Sequence, residues 1–137
     1  MGSNEFNNFL KEMIANGFFT NVCAFTKEER DQKEDWIALT KGMLLLDADY
    51  ESKERSDAAL IAYITWAREN YDDCKMNTIK SVVEYLEASF INRKMKIKKG
   101  NISILMSRAF QAMYEEVEPK DFYDKWNEEE EWNQYQS

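Results

Sequence analysis

The sequence predicts an all-α protein, built as a compact bundle-like or orthogonal array of five to six helices. Apolar residues return every three or four positions along most of the chain, which is the spacing of one helix face. Only four glycines and one proline occur among 137 residues, so few positions interrupt a helix. A hydrophobic content of 44%, with 14% aromatic residues, is sufficient for one packed core.

The first helix is predicted from about Asn4 to Asn16, where apolar residues recur with helical spacing. Gly17 is expected to end it, because glycine favours the position that follows a helix. The connection after Gly17 is too apolar to be left in water, so we expect it to pack back on the core. Its large apolar residues are Phe18, Phe19, Val22 and Phe25.

A capping box provides the clearest local signal in the chain. The Thr26 side chain is expected to accept from the backbone amide of Glu29, whose carboxylate accepts from the amide of Thr26. This box opens a second helix, which is predicted to continue to Leu46. Its first two turns are charged, so we expect them to be solvated.

A third helix is predicted from an N-cap at Ser56 or Ser52 to about Tyr71. From Ala58 to Trp66 it is apolar on nearly every side. Such a helix is expected to lie centrally, with neighbours on several sides.

The fourth helix is expected to follow a loop over residues 71–76 and to begin at Asn77 or Thr78. One stripe of apolar residues supports it, because they recur at intervals of three and four. These residues are Ile79, Val82, Val83, Leu86, Phe90 and Ile91.

Residues 94–104 allow two interpretations. Their alternation of apolar and polar residues around a central turn is typical of a small hairpin. The pattern from residue 102 onward instead matches a helix capped by Asn101 and ending near Val117, and we favour it because it is longer. Pro119 then suits the first turn of a sixth helix.

The chain is thus predicted to hold a helical core domain over residues 1–118 and an acidic aromatic C-terminal helix or tail over residues 119–137, packed on the same domain. The formal net charge of −8 lies mainly at this end. From residue 115 onward there are nine acids against two lysines, a net of −7, whereas residues 1–114 hold 17 acids and 16 bases, a net of −1.

A basic segment precedes the acidic C-terminal region in the sequence. It has five bases in seven positions and no acid: Arg93, Lys94, Lys96, Lys98 and Lys99. It could be solvated, contact nucleic acid, or dock the acidic tail. The same complementarity allows a homodimer in which the segments of two copies pair.

The acidic tail also carries large aromatic residues, which supply contact area where carboxylates supply attraction to a basic surface. One interpretation is that Phe122, Tyr123 and Trp126 close the core. Trp132 and Tyr135 lie beyond the run of glutamates and are the preferred candidates for partner contact. The predicted partner-binding residues are Trp126, Glu128, Glu129, Glu130, Glu131, Trp132 and Tyr135.

Several catalytic chemistries lack their residues in this sequence. There is no histidine for a catalytic triad or metal site, and the glycines stand alone instead of forming a phosphate-binding loop. The stretch from Asp47 lacks the glycine and glutamate of a calcium loop. Cys23 and Cys74 are 51 positions apart without a CxxC motif, so we expect ordinary thiols, no metal and no cofactor.

The preferred hypothesis is a non-enzymatic, cytoplasmic binding protein that acts on a protein with a basic surface, as an inhibitor, immunity or regulatory factor of phage or mobile-element origin. One alternative is a nucleic-acid-binding protein that uses the basic segment. The other is a magnesium-dependent all-α nucleotide hydrolase, in which Glu84 and Glu87 form one carboxylate pair and Glu118 and Asp121 another. We expect no membrane-spanning segment and no secretory signal.

Overall fold

The computed structural model confirms the all-α class. It describes the backbone of residues 3–136 and the side chains of residues 4–130. In this part of the chain no strand forms, and no helix is both long and apolar enough to cross a membrane. The helices are α1 (Ser3–Ala15), α2 (Lys27–Asp31), α3 (Glu34–Leu46), α4 (Asp57–Asn70), α5 (Asp73–Phe90), α6 (Ile102–Tyr114) and α7 (Pro119–Gln136), with a π-helical turn at Phe18–Val22 and a 3₁₀ turn at Lys99–Asn101.

The core is organised around α6, which packs against α3 on one side and α5 on the other. Gly42 of α3 permits a close approach, because a Cβ at this position would lie 2.2 Å from Sδ of Met106 on α6. The remaining helices add to this centre: α1 and α4 pack on α3, and α7 packs on α5. The chain thus buries one continuous apolar cluster that reaches from Phe6 to Trp126.

The predicted second helix is divided into α2 and α3, so its prediction as one helix is wrong. The break falls at Lys33, which takes a left-handed conformation with φ 64°. The capping box at Thr26 is present in full, but α2 turns away to lie over the π-helical turn, where Arg30 donates to the carbonyl of Phe19 at 3.0 Å.

No hairpin forms over residues 94–104. The extended residue Ile97 instead makes a parallel bridge with Cys23, and the amide of Ile97 donates to the carbonyl of Val22 at 3.0 Å. The favoured helix is present from Ile102, although the side chain of Asn101 makes no capping hydrogen bond.

Three further boundaries or positions differ from the predictions. Gly17 has a right-handed conformation and is not a left-handed helix stop. Helix α5 begins within the predicted loop, because the side chain of Asp72 accepts from the amide of Lys75 and caps it. Helix α4 lies at the edge of the bundle, with Ile61 68% exposed, since only one side of this helix packs on the body.

A buried polar network joins α3, α4 and α5. The Asp47 carboxylate lies just after α3 and accepts from Tyr63 Oη at 2.8 Å and from Lys75 Nζ at 2.7 Å. The ammonium of Lys53 donates to the carbonyls of Leu44 and Tyr50, at 2.9 and 2.7 Å. These bonds satisfy the polar groups at the C-terminal end of α3 where the chain turns toward α4.

Candidate functional site

Helix α7 carries a cluster of acidic residues and is fixed to the body along one face. Phe122 and Trp126, four residues apart, are 8% and 7% exposed. The ring of Phe122 packs edge-on against Tyr85 of α5 with a centroid distance of 5.5 Å. Tyr123 packs in the same way against Phe90, also at 5.5 Å. The interpretation that these three aromatic residues close the core therefore agrees with their positions.

The segment that enters α7 is held by Tyr85. Its hydroxyl donates to the carbonyl of Val117 at 2.7 Å. Burial, together with the nearby carboxylates of Glu118 and Asp121, raises the pKa of Tyr85, so the phenol stays protonated and keeps donating.

Two arginines cover the inner aromatic residues of α7. The guanidinium of Arg93 lies 4.4 Å from the ring centre of Tyr123, and that of Arg108 lies 5.3 Å from the ring centre of Trp126. Arg108 also forms an ion pair with Glu129. The inner side of α7 is thus held by an ion pair as well as by ring contacts.

The outer side of α7 presents free carboxylates. Asp121, Asp124 and Glu128 are exposed, and none of them forms an ion pair with a residue whose side chain the structure describes. They follow one another by three and four positions, which places them on one helix face. Because the opposite face is anchored, this acidic face is held on a rigid element.

A groove between α6 and α7 adjoins the acidic face. Its apolar floor includes Ala112, Phe122 and Trp126, and its rim carries charges of both signs, among them Lys125 and Glu115. A shallow apolar floor with a charged rim is typical of a surface that contacts another macromolecule.

The predicted partner-binding residues have different positions. Glu128 is exposed, Glu130 is half-buried, and Glu129 is engaged by Arg108. Trp126 lies in the core instead of on a free surface. The backbone of α7 continues through the positions of Glu131, Trp132 and Tyr135, whose side chains lie outside the described residues.

The basic segment does not act as one unit. Arg93 stacks on Tyr123, Lys96 donates to the backbone carbonyl of Asn21, and Lys99 bridges two carboxylates of α2 and α3. Lys94 and Lys98 are exposed and form no ion pair with a described side chain. The segment therefore holds neighbouring elements together, and among the side chains that the structure describes its contact with the tail is the stacking of Arg93 on Tyr123.

The carboxylates considered for magnesium are dispersed. Glu84 is exposed, whereas Glu87 lies against the backbone of Gly17, where its Oε2 occupies the space that a Cβ at residue 17 would need. Among the described residues, no group of three or more cysteines and carboxylates has the geometry of a metal site.

Comparison of the chain with protein-family models, curated proteins and solved structures gives no match. The candidate surface is defined by its geometry alone. The acidity of α7 is visible in the sequence, and the burial of Phe122 and Trp126 agrees with one of the two interpretations that the sequence allowed. The ion pair of Arg108 with Glu129 is not visible in the sequence, because the two residues are 21 positions apart and no periodic pattern connects them.

Proposed function

We propose that this chain is a non-enzymatic binding protein that acts stoichiometrically on a macromolecular partner with a basic surface. The single observation that carries the proposal is the row of exposed carboxylates at Asp121, Asp124 and Glu128, which form no ion pair with a described side chain, on a helix anchored from behind. Because its backbone is already fixed, an anchored acidic face loses little conformational entropy on binding. Its charges attract basic surfaces over a distance of about a Debye length.

The proposed binding surface also includes residues at the C-terminal end of α7. Helix α7 runs to Gln136, and positions 132 and 135 follow Glu128 by four and seven residues, so they lie on the same side of the helix as Glu128. Trp132 and Tyr135 would supply the aromatic contact area, and Glu128 and Glu131 the charge.

The role that this surface suits is that of an inhibitor, immunity or regulatory factor, encoded by a phage or another mobile element and acting in the cytoplasm. A row of carboxylates on a helix presents negative charge as a nucleic-acid backbone does, so the partner we favour is a protein with a basic, nucleic-acid-binding surface. Direct binding of nucleic acid by this chain is less well supported, because Arg93, Lys96 and Lys99 are engaged within the chain.

The test is affinity capture from the native host, comparing the full chain with a triple variant, Asp121→Asn, Asp124→Asn and Glu128→Gln. Removing the tail from residue 124 would be a poorer test, since it deletes the core residue Trp126. A matched control neutralises three exposed acids elsewhere, Glu51→Gln, Glu54→Gln and Glu69→Gln.

We expect the full chain and the control to retain one partner in an equimolar ratio, with a Kd that rises steeply with salt, and the triple variant to lose it. Circular dichroism and melting should be unchanged in all three. Equal capture by the triple variant would contradict the proposal. A shift of labelled DNA or RNA at low salt, abolished by Lys94→Glu and Lys98→Glu, would instead support the nucleic-acid alternative.

A further inference from the structure

A second surface of the molecule is distinguished by its lack of charge. It lies where the N-terminal half of α5 meets the C-terminal half of α6. Helix α5 contributes a stripe at intervals of three and four residues, formed by Cys74, Asn77, Thr78 and Ser81. Helix α6 contributes Phe110, Met113 and Tyr114. We call these seven residues the neutral patch.

Large apolar area is exposed in the neutral patch. Tyr114 is 82% exposed and Phe110 is 42% exposed, and Met113 is half-buried beside them. Aromatic residues and methionine are the types enriched in protein interfaces, and leaving them in water costs free energy that a contact would recover. The patch is therefore a candidate interface in its own right, separate from the acidic face of α7.

The charge pattern indicates which partner suits it. None of the described residues that line the neutral patch is charged, although charged residues make up 32% of the chain. In a two-fold contact each patch meets an identical patch, so any net charge on it repels itself. The neutral patch satisfies this condition, whereas the groove between α6 and α7 carries charges on its rim.

We propose that the neutral patch is a self-association surface, on which a second copy of this chain docks through the same residues in a two-fold arrangement. In this contact Tyr114 and Phe110 of each copy cover the α5 stripe of the other. The acidic face of α7 is not part of the contact, so the dimer would present two acidic faces. The proposal does not depend on the proposed function.

The acids that flank the patch in sequence give the dimer a recognisable salt dependence. Asp73, Glu84 and Glu115 are exposed and lie within three positions of the patch residues Cys74, Ser81 and Tyr114. The neighbouring bases Lys75 and Lys80, by contrast, are held in ion pairs with other acids of the chain. Two copies bring these like charges toward one another, and salt screens that repulsion. Self-association should therefore strengthen as ionic strength rises, which is the opposite of an acidic surface bound to a basic one.

The first experiment measures mass by light scattering and sedimentation over a range of concentrations, with a reducing agent present. We expect a concentration-dependent dimer that Tyr114→Glu weakens by about tenfold or more, because this change places a charge in each half of the contact. Tyr114 is so exposed that the variant should fold, which circular dichroism verifies. The control is Ile61→Glu, a comparably exposed apolar residue on α4 that should leave the dimer unchanged.

The second experiment uses the two free cysteines. Cys74 lies in the neutral patch and is exposed, whereas Cys23 is buried, and burial raises the pKa of its thiol, so it stays unreactive. A short bismaleimide should join two copies through Cys74, and Cys74→Ser or Tyr114→Glu should abolish the product, whereas Cys23→Ser should not. A chain that remains monomeric and gives no crosslink overturns the proposal, as does a dimer that Tyr114→Glu leaves intact.

Discussion

Tyr63 Oη donates a hydrogen bond of 2.8 Å to the buried carboxylate of Asp47. The bond joins α4 to the end of α3, and Lys75 binds the other carboxylate oxygen from α5. No buried polar side-chain atom is left without a partner in the described part of the chain. Because burial in the core excludes water, solvent cannot replace the Tyr63 donor on that side.

We expect Tyr63→Phe to destabilise the fold by about 1–3 kcal/mol, since it leaves one buried oxygen of Asp47 without its donor. Urea unfolding followed by circular dichroism measures the change. Tyr114→Phe removes the same hydroxyl from an 82% exposed ring and should have no measurable effect. Equal stabilities for the two variants would show that the network contributes little.

Acid should weaken the link between α2 and α3. The hydrogen bond from Lys99, with a further one from the backbone of Thr26, lowers the pKa of Glu29 from 4.5 to about 2. Since the pKa is lower in the folded state, this contribution to stability is present above pH 4.5 and is lost as the pH falls from 4.5 toward 2.

The measurement for this link is the urea midpoint of the native chain and of Glu29→Gln at pH 6 and pH 2.5. The variant should be the less stable at pH 6, and the difference should shrink at pH 2.5. Glu28→Gln changes an exposed neighbour outside the Lys99 bridge and provides the control. A difference that is the same at both pH values would refute the assignment.

Glu116 ends α6 in a left-handed conformation with φ 59°. The amide of Val117 donates to Ala112 and that of Glu116 to Met113, the two hydrogen bonds of a Schellman motif. Glycine suits this position better than any residue with a Cβ, so Glu116→Gly should stabilise the chain by about 1 kcal/mol. At Glu115, where φ is −84°, the same change should not stabilise, and thermal melting compares the two variants.

Gly42 allows α3 and α6 to approach, and alanine at this position should be unfavourable. The added methyl would meet Sδ of the fully buried Met106, at a cost of about 1–3 kcal/mol that exceeds the gain in helix propensity of about 1 kcal/mol. Met106→Val in the same chain should recover part of the loss. At Gly100 a Cβ would meet no atom within 4 Å, so Gly100→Ala should be neutral or slightly stabilising.

Local signals in the sequence were sufficient for much of the fold. The capping box at Thr26, the N-cap at Ser56 and the first-turn position of Pro119 are each determined by residues within one helical turn, and each is observed. The break at Lys33 was not predictable in this way, because no glycine or proline marks it. The bridge that joins the two helices across this break is equally non-local, because Lys99 contacts Glu29 and Glu34 from 65 or more residues away.

The candidate site, like the fold, could be predicted from the sequence only in part. The acidity of α7 could be read from composition, and packing of Phe122 against the core was one interpretation, but Trp126, which was predicted to contact a partner, is buried. The three separate contacts of the basic segment could not be predicted from the sequence, since the partners of Arg93, Lys96 and Lys99 lie on other elements. A charge pattern shows which residues are ionised but not which of them are already paired.

The parallel bridge between Cys23 and Ile97 has a consequence for synthesis of the protein. Lys96, which closes the same contact on the carbonyl of Asn21, leaves the ribosome 75 residues after its partner. Until then the aromatic residues of the π-helical turn lack this cover, although α5, against which the turn packs, has already been synthesised. The N-terminal part of the chain therefore cannot complete its structure before Lys96 and Ile97 are available.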